Sequence, residues 1–208
     1  MVKKHCLYYF HDPMCSWCWA FRPLWKAVVA DLPDNVSVQR VLGGLAPDTD
    51  QTMPKDMQAK LRSIWQKIQQ TVPGTPFNFD FWEKCAPRRS TYAACRAVIA
   101  ARRQDPRYEE AMILAIQQAY YLEARNPADT CTLIELSNEI GLDGDLFILD
   151  LESPGTHQAL LEEVAFTRRL EVKGFPTLLL EKQGVFTTIQ HDYSDVENVL
   201  HQIKLLSQ

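Results

Sequence analysis

Apolar and aromatic residues crowd Lys4–Phe10 and stop at Asp12-Pro13, which predicts a short first strand. From about Trp17 to Asp31 the spacing changes. Phe21, Leu24, Trp25, Val28 and Val29 recur at helical intervals, and Pro23 is placed to kink that helix. Leu32-Pro33-Asp34-Asn35 is turn chemistry, and Val36–Leu42 predicts a second strand before Gly43-Gly44. A strand, helix and strand in that order predict a parallel pair with a right-handed crossover.

The middle of the chain reads as helical throughout. Met53, Met57, Leu61, Ile64, Trp65, Ile68 and Val72 lie three and four residues apart, with Pro54 read as a first-turn proline. A second helix is expected from Ser90-Thr91, as caps, to about Gln104. A third carries Tyr108, Met112, Ile116 and Tyr120 on one side, behind Asp105 as cap and Pro106 in the first turn. Asp129 is expected to cap a fourth that ends at Gly141. A shorter helix near Asp145–Leu151 and a sixth opened by Ser153-Pro154 follow. Strand character returns at Thr177–Glu181 and Val185–Gln190 around the turn Lys182-Gln183-Gly184. Val196, Val199, Leu200, Ile203 and Leu206 then make a closing amphipathic helix. The order is β-α-β, a helical block, then β-β-α.

Charge and cysteine usage narrow the function. A formal charge of −4 supplies no basic stripe to neutralise phosphates, so no nucleic-acid partner is expected. Arg88-Arg89, Arg102-Arg103 and Arg168-Arg169 read as solvated helix faces. No apolar run approaches the ~20 residues of a membrane-spanning helix. The run Cys6–Phe10 after Lys3-Lys4 is too short for a signal peptide, so a cytoplasmic location and no membrane partner are expected. Of the six cysteines, Cys15 and Cys18 stand close in sequence. Cys6, Cys85, Cys95 and Cys131 are scattered, and nothing completes a metal site, so neither metal nor cofactor is called for. A lone C-x-x-C in a reducing compartment points to redox chemistry.

The pair lies in Asp12-Pro13-Met14-Cys15-Ser16-Trp17-Cys18-Trp19, where the first strand meets the first helix. Unpaired N–H groups and the helix dipole there favour negative charge, and the thiolate is the nucleophilic form of cysteine. Cys15 is therefore expected to attack. Cys18, one turn further in and shielded, is expected to resolve the mixed disulfide. Asp12 and His11 adjoin the pair, and turn formation accounts for Asp12.

Cys15-Ser16-Trp17-Cys18-Trp19-Ala20-Phe21 resembles the motif of DsbA-like proteins, particularly the cytoplasmic FrnE-like branch described as disulfide isomerases. Val172-Lys173-Gly174-Phe175-Pro176-Thr177 resembles that family's cis-proline loop, and Ser90–Ala97 a stretch of its helical insertion. The resemblance implies an α/β chain with a thioredoxin-like fold and an inserted all-helical domain. Residues 1–50 and 166–208 would form the thioredoxin-like part and 51–165 the insertion. It further implies that Pro176 is cis, that the loop faces the cysteines, and that the Phe175 backbone pairs with substrate. Trp17 is equally suited to line a substrate groove or to sit in the core. Ser16-Trp17 replaces the Pro-His of the oxidising periplasmic relatives, so a less oxidising pair is expected.

Protein or peptide thiols and disulfides are the expected partners, with glutathione as a small alternative. Two other classes remain open. Kappa-class glutathione transferases and hydroxychromene-carboxylate isomerases resemble the same inserted fold but place serine where Cys15 stands. A non-enzymatic protein-binding or metal-carrying module would use the two thiolates without further ligands.

Overall fold

The computed structural model describes residues 5–208, so Lys4, the expected start of the first strand, lies outside the described residues. His5–His11 forms β1 and pairs in parallel with β2 (Val36–Leu42), Leu7 opposite Val38. The helix α1 (Ser16–Ala30), with Pro23 inside it, makes the crossover. On the other side of β1 runs β3 (Thr177–Lys182), antiparallel, with Leu7 opposite Leu180. The strand β4 (Val185–Ile189) completes the order β2-β1-β3-β4. Gln183 and Gly184 have φ of 55° and 82°, the positive values that a tight two-residue hairpin needs.

Alternation along β1 assigns its two faces. Leu7 and Tyr9 pack with Phe21, Leu24 and Trp25 of α1 and with Val199 and Ile203 of the closing helix. Tyr8 and Phe10 face the opposite way, their rings 5.5 and 5.8 Å from that of Phe166. The sheet therefore lies between helices on both faces. This is the expected α/β fold of thioredoxin type.

Between β2 and β3 run α2 (Lys55–Thr71), α3 (Phe81–Lys84), α4 (Tyr92–Gln104), α5 (Tyr108–Tyr121), α6 (Thr130–Glu139), α7 (Gly144–Glu152) and α8 (Pro154–Arg169); α9 (Val196–Leu206) closes the chain. Every residue of α4 from Ala97 to Ala101 is buried. A helix that is apolar on all sides belongs at the centre of its bundle. Trp65 fills a second centre, with ring centroids of Phe77 and Trp82 each 4.9 Å away.

Several helix starts differ from the sequence reading. Pro54 precedes α2 as its N-cap, with ψ of 147°, and the helix begins at Lys55. Thr91 and Asp129 hold the N-cap positions of α4 and α6, but neither side chain caps. Thr91 is drawn to Asp12, and Asp129 pairs with Arg88 at 2.7 Å. Asp105 closes a turn onto the Arg107 amide at 2.8 Å, so α5 starts at Tyr108. Ser153 does cap α8, accepting from the Thr156 amide at 3.1 Å. The four residues of α3 are too few to show a helical period, and the pattern missed them.

A chain of alternating charges fastens the helical block to the sheet. Arg22 of α1 meets Glu110 at 2.7 Å; Glu110 and Glu109 meet Arg40 of β2 at 2.6 and 3.4 Å. Glu109 also pairs with Arg102 of α4 at 3.2 Å, and Arg102 pairs with Glu163 of α8. Glu163 in turn accepts from the Leu42 amide at 2.6 Å. Buried beside this chain, His11 stacks on Tyr9 at 4.9 Å, and its Nε2 has no partner among the described residues.

Burial first, then the charges of Arg40 and Arg102, lower the His11 pKa to about 3. The unfolded chain therefore binds a proton that the folded chain refuses between about pH 6.5 and pH 3. His11 contributes stability above that window, and it is lost as pH falls, by about 1.4 kcal/mol per pH unit. His11→Phe, which keeps a ring against Tyr9, should flatten the wild-type pH dependence by that slope in denaturant titrations. Equal slopes for the two proteins would refute the assignment.

Candidate active site

The turn between β1 and α1 is built on one buried carboxylate. Asp12 is fully buried, and its Oδ1 accepts from the Met14 amide at 2.8 Å while its carbonyl accepts from the Cys15 amide at 3.0 Å. Oδ2 accepts from the Leu45 amide at 2.8 Å and the Thr91 hydroxyl at 2.7 Å, with the Cys95 thiol at 3.6 Å. Burial raises the Asp12 pKa, and these hydrogen bonds, with the Arg89 charge, oppose the rise. Turn formation is thus only half of what Asp12 does. It also ties the loop after β2 and the start of α4 to the cysteine turn.

Cys15 occupies the N-cap of α1 in extended conformation, and its carbonyl accepts from the Trp19 amide at 3.0 Å. The helix field favours an anion at that position. Cys18 follows one turn later and is 1% exposed against 7% for Cys15. Burial, then the hydrogen bond and charge of Cys15, hold the Cys18 thiol well above the ordinary cysteine range. Tyr9 and Tyr193 are shifted upward by burial and next by the charge of Cys18.

The loop before β3 closes over this pair. The Phe175–Pro176 peptide is cis, as the resemblance implies, and the Cys15 thiol donates to the Phe175 carbonyl at 3.5 Å. The Thr177 hydroxyl donates to the Gly174 carbonyl at 2.8 Å and fixes the turn. Phe175 packs its ring where a side chain on Gly43 would go: a Cβ there would lie 1.8 Å from Cζ. Trp17 is half-buried, and its ring lies 5.2 Å from that of Tyr193. Trp19 turns the other way. It stacks on Tyr121 at 5.7 Å and donates from Nε1 to the Pro76 carbonyl at 3.0 Å, on the wall of a groove of about 390 Å³ between α1 and the loop after α2.

Cys15, Cys18, Trp17, Phe175 and Pro176 thus gather at one place. Of the other four cysteines, Cys95 reaches the turn through Asp12; all six thiols are free, and the Cys85 thiol donates to the Ala124 carbonyl at 3.0 Å. Among the described residues no group of three or more metal-binding side chains occurs, and no helix is long and apolar enough to cross a membrane. The sequence reading passed over Tyr9, Tyr193 and the Asp12–Thr91–Cys95 contacts. For Thr91 and Cys95 a signal existed, because both fall in the stretch Ser90–Ala97.

The family model for thioredoxin matches residues 8–192, which contain the C-x-x-C turn and the cis-proline loop. The chain belongs to the thioredoxin family. Within it, a candidate protein disulfide isomerase from Nitrosomonas europaea superposes with a TM-score of 0.84 at 27% identity, over 98% of this chain and 97% of that one. The cytosolic disulfide reductase DsbM of Pseudomonas aeruginosa follows with 0.78 at 25% identity, over 97% and 98%. A further structure of DsbM, holding GSH, superposes with a TM-score of 0.79 at 24% identity, over 98% of this chain and all of that one. The DsbA-like branch expected from the sequence is thus where the structural likeness lies. The ClpXP adapter protein SpxH of Halalkalibacterium halodurans is 26% identical over 95% of this chain and 67% of its own length. That of Shouchella clausii is 25% identical over 90% and 63%. The chain spans about two thirds of these adapters.

The packing of Phe175 on Gly43 is open to test. Gly43→Ala should displace the ring and loosen the loop over Cys15, at about 1–3 kcal/mol of stability, as overpacking costs. In a Phe175→Ala background the same substitution should cost almost nothing. Equal costs in both backgrounds, measured by chemical denaturation, would show that the contact does not hold the loop.

Proposed function

We propose that the chain is a thiol–disulfide oxidoreductase acting as a cytoplasmic disulfide reductase or isomerase, with Cys15 as attacking and Cys18 as resolving thiol. The observation that carries this is the asymmetry of the pair. Cys15 stands at a helix N-terminus and touches the cis-proline loop, whereas Cys18 is sealed in and its thiol is held well above the ordinary range.

The Cys15 thiolate attacks one sulfur of a substrate disulfide. The substrate S–S bond breaks, the leaving thiolate takes a proton, and a Cys15–substrate disulfide forms. Cys18 then gives up its proton and attacks the Cys15 sulfur, releasing the second substrate thiol and leaving a Cys15–Cys18 disulfide. Two electrons pass from protein to substrate, and an external thiol returns them. Ser16-Trp17 brings no ionisable group between the cysteines. Phe175 presents backbone beside Cys15 for an extended substrate, Pro176 keeps that backbone facing the thiol, and Trp17 forms the rim. Protein or peptide disulfides are the substrates this reading names. Glutathione is the small alternative, as the DsbM structure with GSH supports.

A second reading has support in the 26% identity with an SpxH adapter: this face would bind a protein without turning it over. Cysteine variants separate the two. Cys15→Ser should abolish disulfide reduction, at least about 1,000-fold, as loss of a nucleophile does. Cys18→Ser should still form a mixed disulfide with substrate, which mass spectrometry would detect, and should stall there. If Cys18→Ser cannot form the adduct, the roles are wrongly assigned. If wild-type protein exchanges no disulfide and both variants still bind a protein partner, the adapter reading replaces this one.

A further inference from the structure

The helical block contains a cation that no group among the described residues answers. Arg89 lies between anchors: the Pro87 carbonyl accepts from the Met53 amide at 2.8 Å, Arg88 bridges to Thr52, and the Thr91 amide donates to the Ala46 carbonyl at 3.0 Å. Its backbone is therefore fixed and its side chain half-buried. Every other arginine between Arg62 and Arg125 pairs with a carboxylate. Arg89 makes no ion pair and no side-chain hydrogen bond among the described residues.

Arg89 stands two residues before Thr91, whose hydroxyl donates to Asp12 Oδ2 at 2.7 Å, and the Asp12 carbonyl accepts from the Cys15 amide at 3.0 Å, so this segment packs against the cysteine turn. The Arg89 charge opposes the rise of the Asp12 pKa, as a cation on that side does. Asp12 is not free to take the guanidinium in contact, because two amides, a hydroxyl and a thiol already surround its oxygens. The nearby Arg22 is committed to Glu110 at 2.7 Å and Gln117 at 3.3 Å. A half-desolvated guanidinium thus holds its fork of donors unused on the segment that packs against the cysteine turn. A planar carboxylate is the group that such a fork fits best.

We infer that Arg89 is a specificity residue of the redox site, holding a carboxylate of a small anionic disulfide while Cys15 attacks its sulfur. The inference rests on the thiol–disulfide reading and deepens it. Disulfides flanked by carboxylates, of which glutathione disulfide is the available probe, would be preferred over neutral ones of similar size.

The test compares reduced wild-type, Arg89→Gln and Arg89→Lys proteins as each is oxidised in a single turnover by glutathione disulfide or by neutral bis(2-hydroxyethyl) disulfide. Tryptophan fluorescence and thiol titration serve as readouts. Arg89→Gln should slow the reaction with glutathione disulfide about 10-fold or more, the size of one charge-assisted contact. It should leave the neutral disulfide within about twofold, and Arg89→Lys should recover part of the loss. Equal slowing with both disulfides, or no slowing with either, would overturn the inference. A second measurement does not depend on exchange: binding of S-methylglutathione, which cannot react, should weaken about 10-fold in Arg89→Gln. If wild-type protein reduces neither disulfide, the thiol–disulfide reading has failed. Weakened S-methylglutathione binding in the variant would then still support Arg89 as the anion site, and unchanged binding would remove that as well.

Discussion

A carboxylate placed out of water needs its hydrogen bonds supplied by the protein, and Asp12 imposes that requirement on three separate parts of the chain. The cysteine turn, the loop after β2 and the start of α4 must all come to it. Leaving any one donor away would strand a buried charge, so the position of the turn is set jointly by both halves of the molecule. The helix that displays Cys15 therefore starts where it does because a helix of the insertion, more than 70 residues later, also starts there.

The same arrangement separates the chemistry of the two thiols. Cys15 lies at a helix end, against the carbonyl of the cis-proline loop. Cys18 lies one turn further in and loses hydration, which holds its thiol up. On the proposed reading, attack and resolution are thereby ordered by environment, although the residues are chemically identical. Where the cis-proline loop meets Cys15 it presents the Phe175 carbonyl. Its part is steric and peptidic, and Gly43 makes room for it.

Much of this could be read from residue order. The spacing of Cys15 and Cys18 after an aromatic strand, and the Gly-Phe-Pro-Thr turn before an apolar one, place both halves of the site on their elements, because strand and helix periods are local properties. Helix caps fared worse. Thr91 and Asp129 are good capping residues that the structure uses elsewhere, since a long-range acid or arginine offers each a stronger contact than its own helix does. The charge chain through Glu110 and Glu163, and the lone Arg89, were illegible for the same reason. Paired arginines in sequence look alike on a solvated helix face, and only packing shows which of them finds a carboxylate.

The alternating charges from Arg22 to Glu163 join α1, β2, α5, α4 and α8, and most of their side chains are substantially screened from solvent. Opening a hinge between sheet and insertion would break several of these pairs at once and expose the buried amide of Leu42. The cleft around Cys15 thus has little freedom to widen for a bulky folded surface. On the proposed reading, adaptation has to come from the incoming molecule: a disulfide reaches the thiol when it is carried on something small, or on a strand loose enough to be threaded past Trp17 and the cis-proline loop.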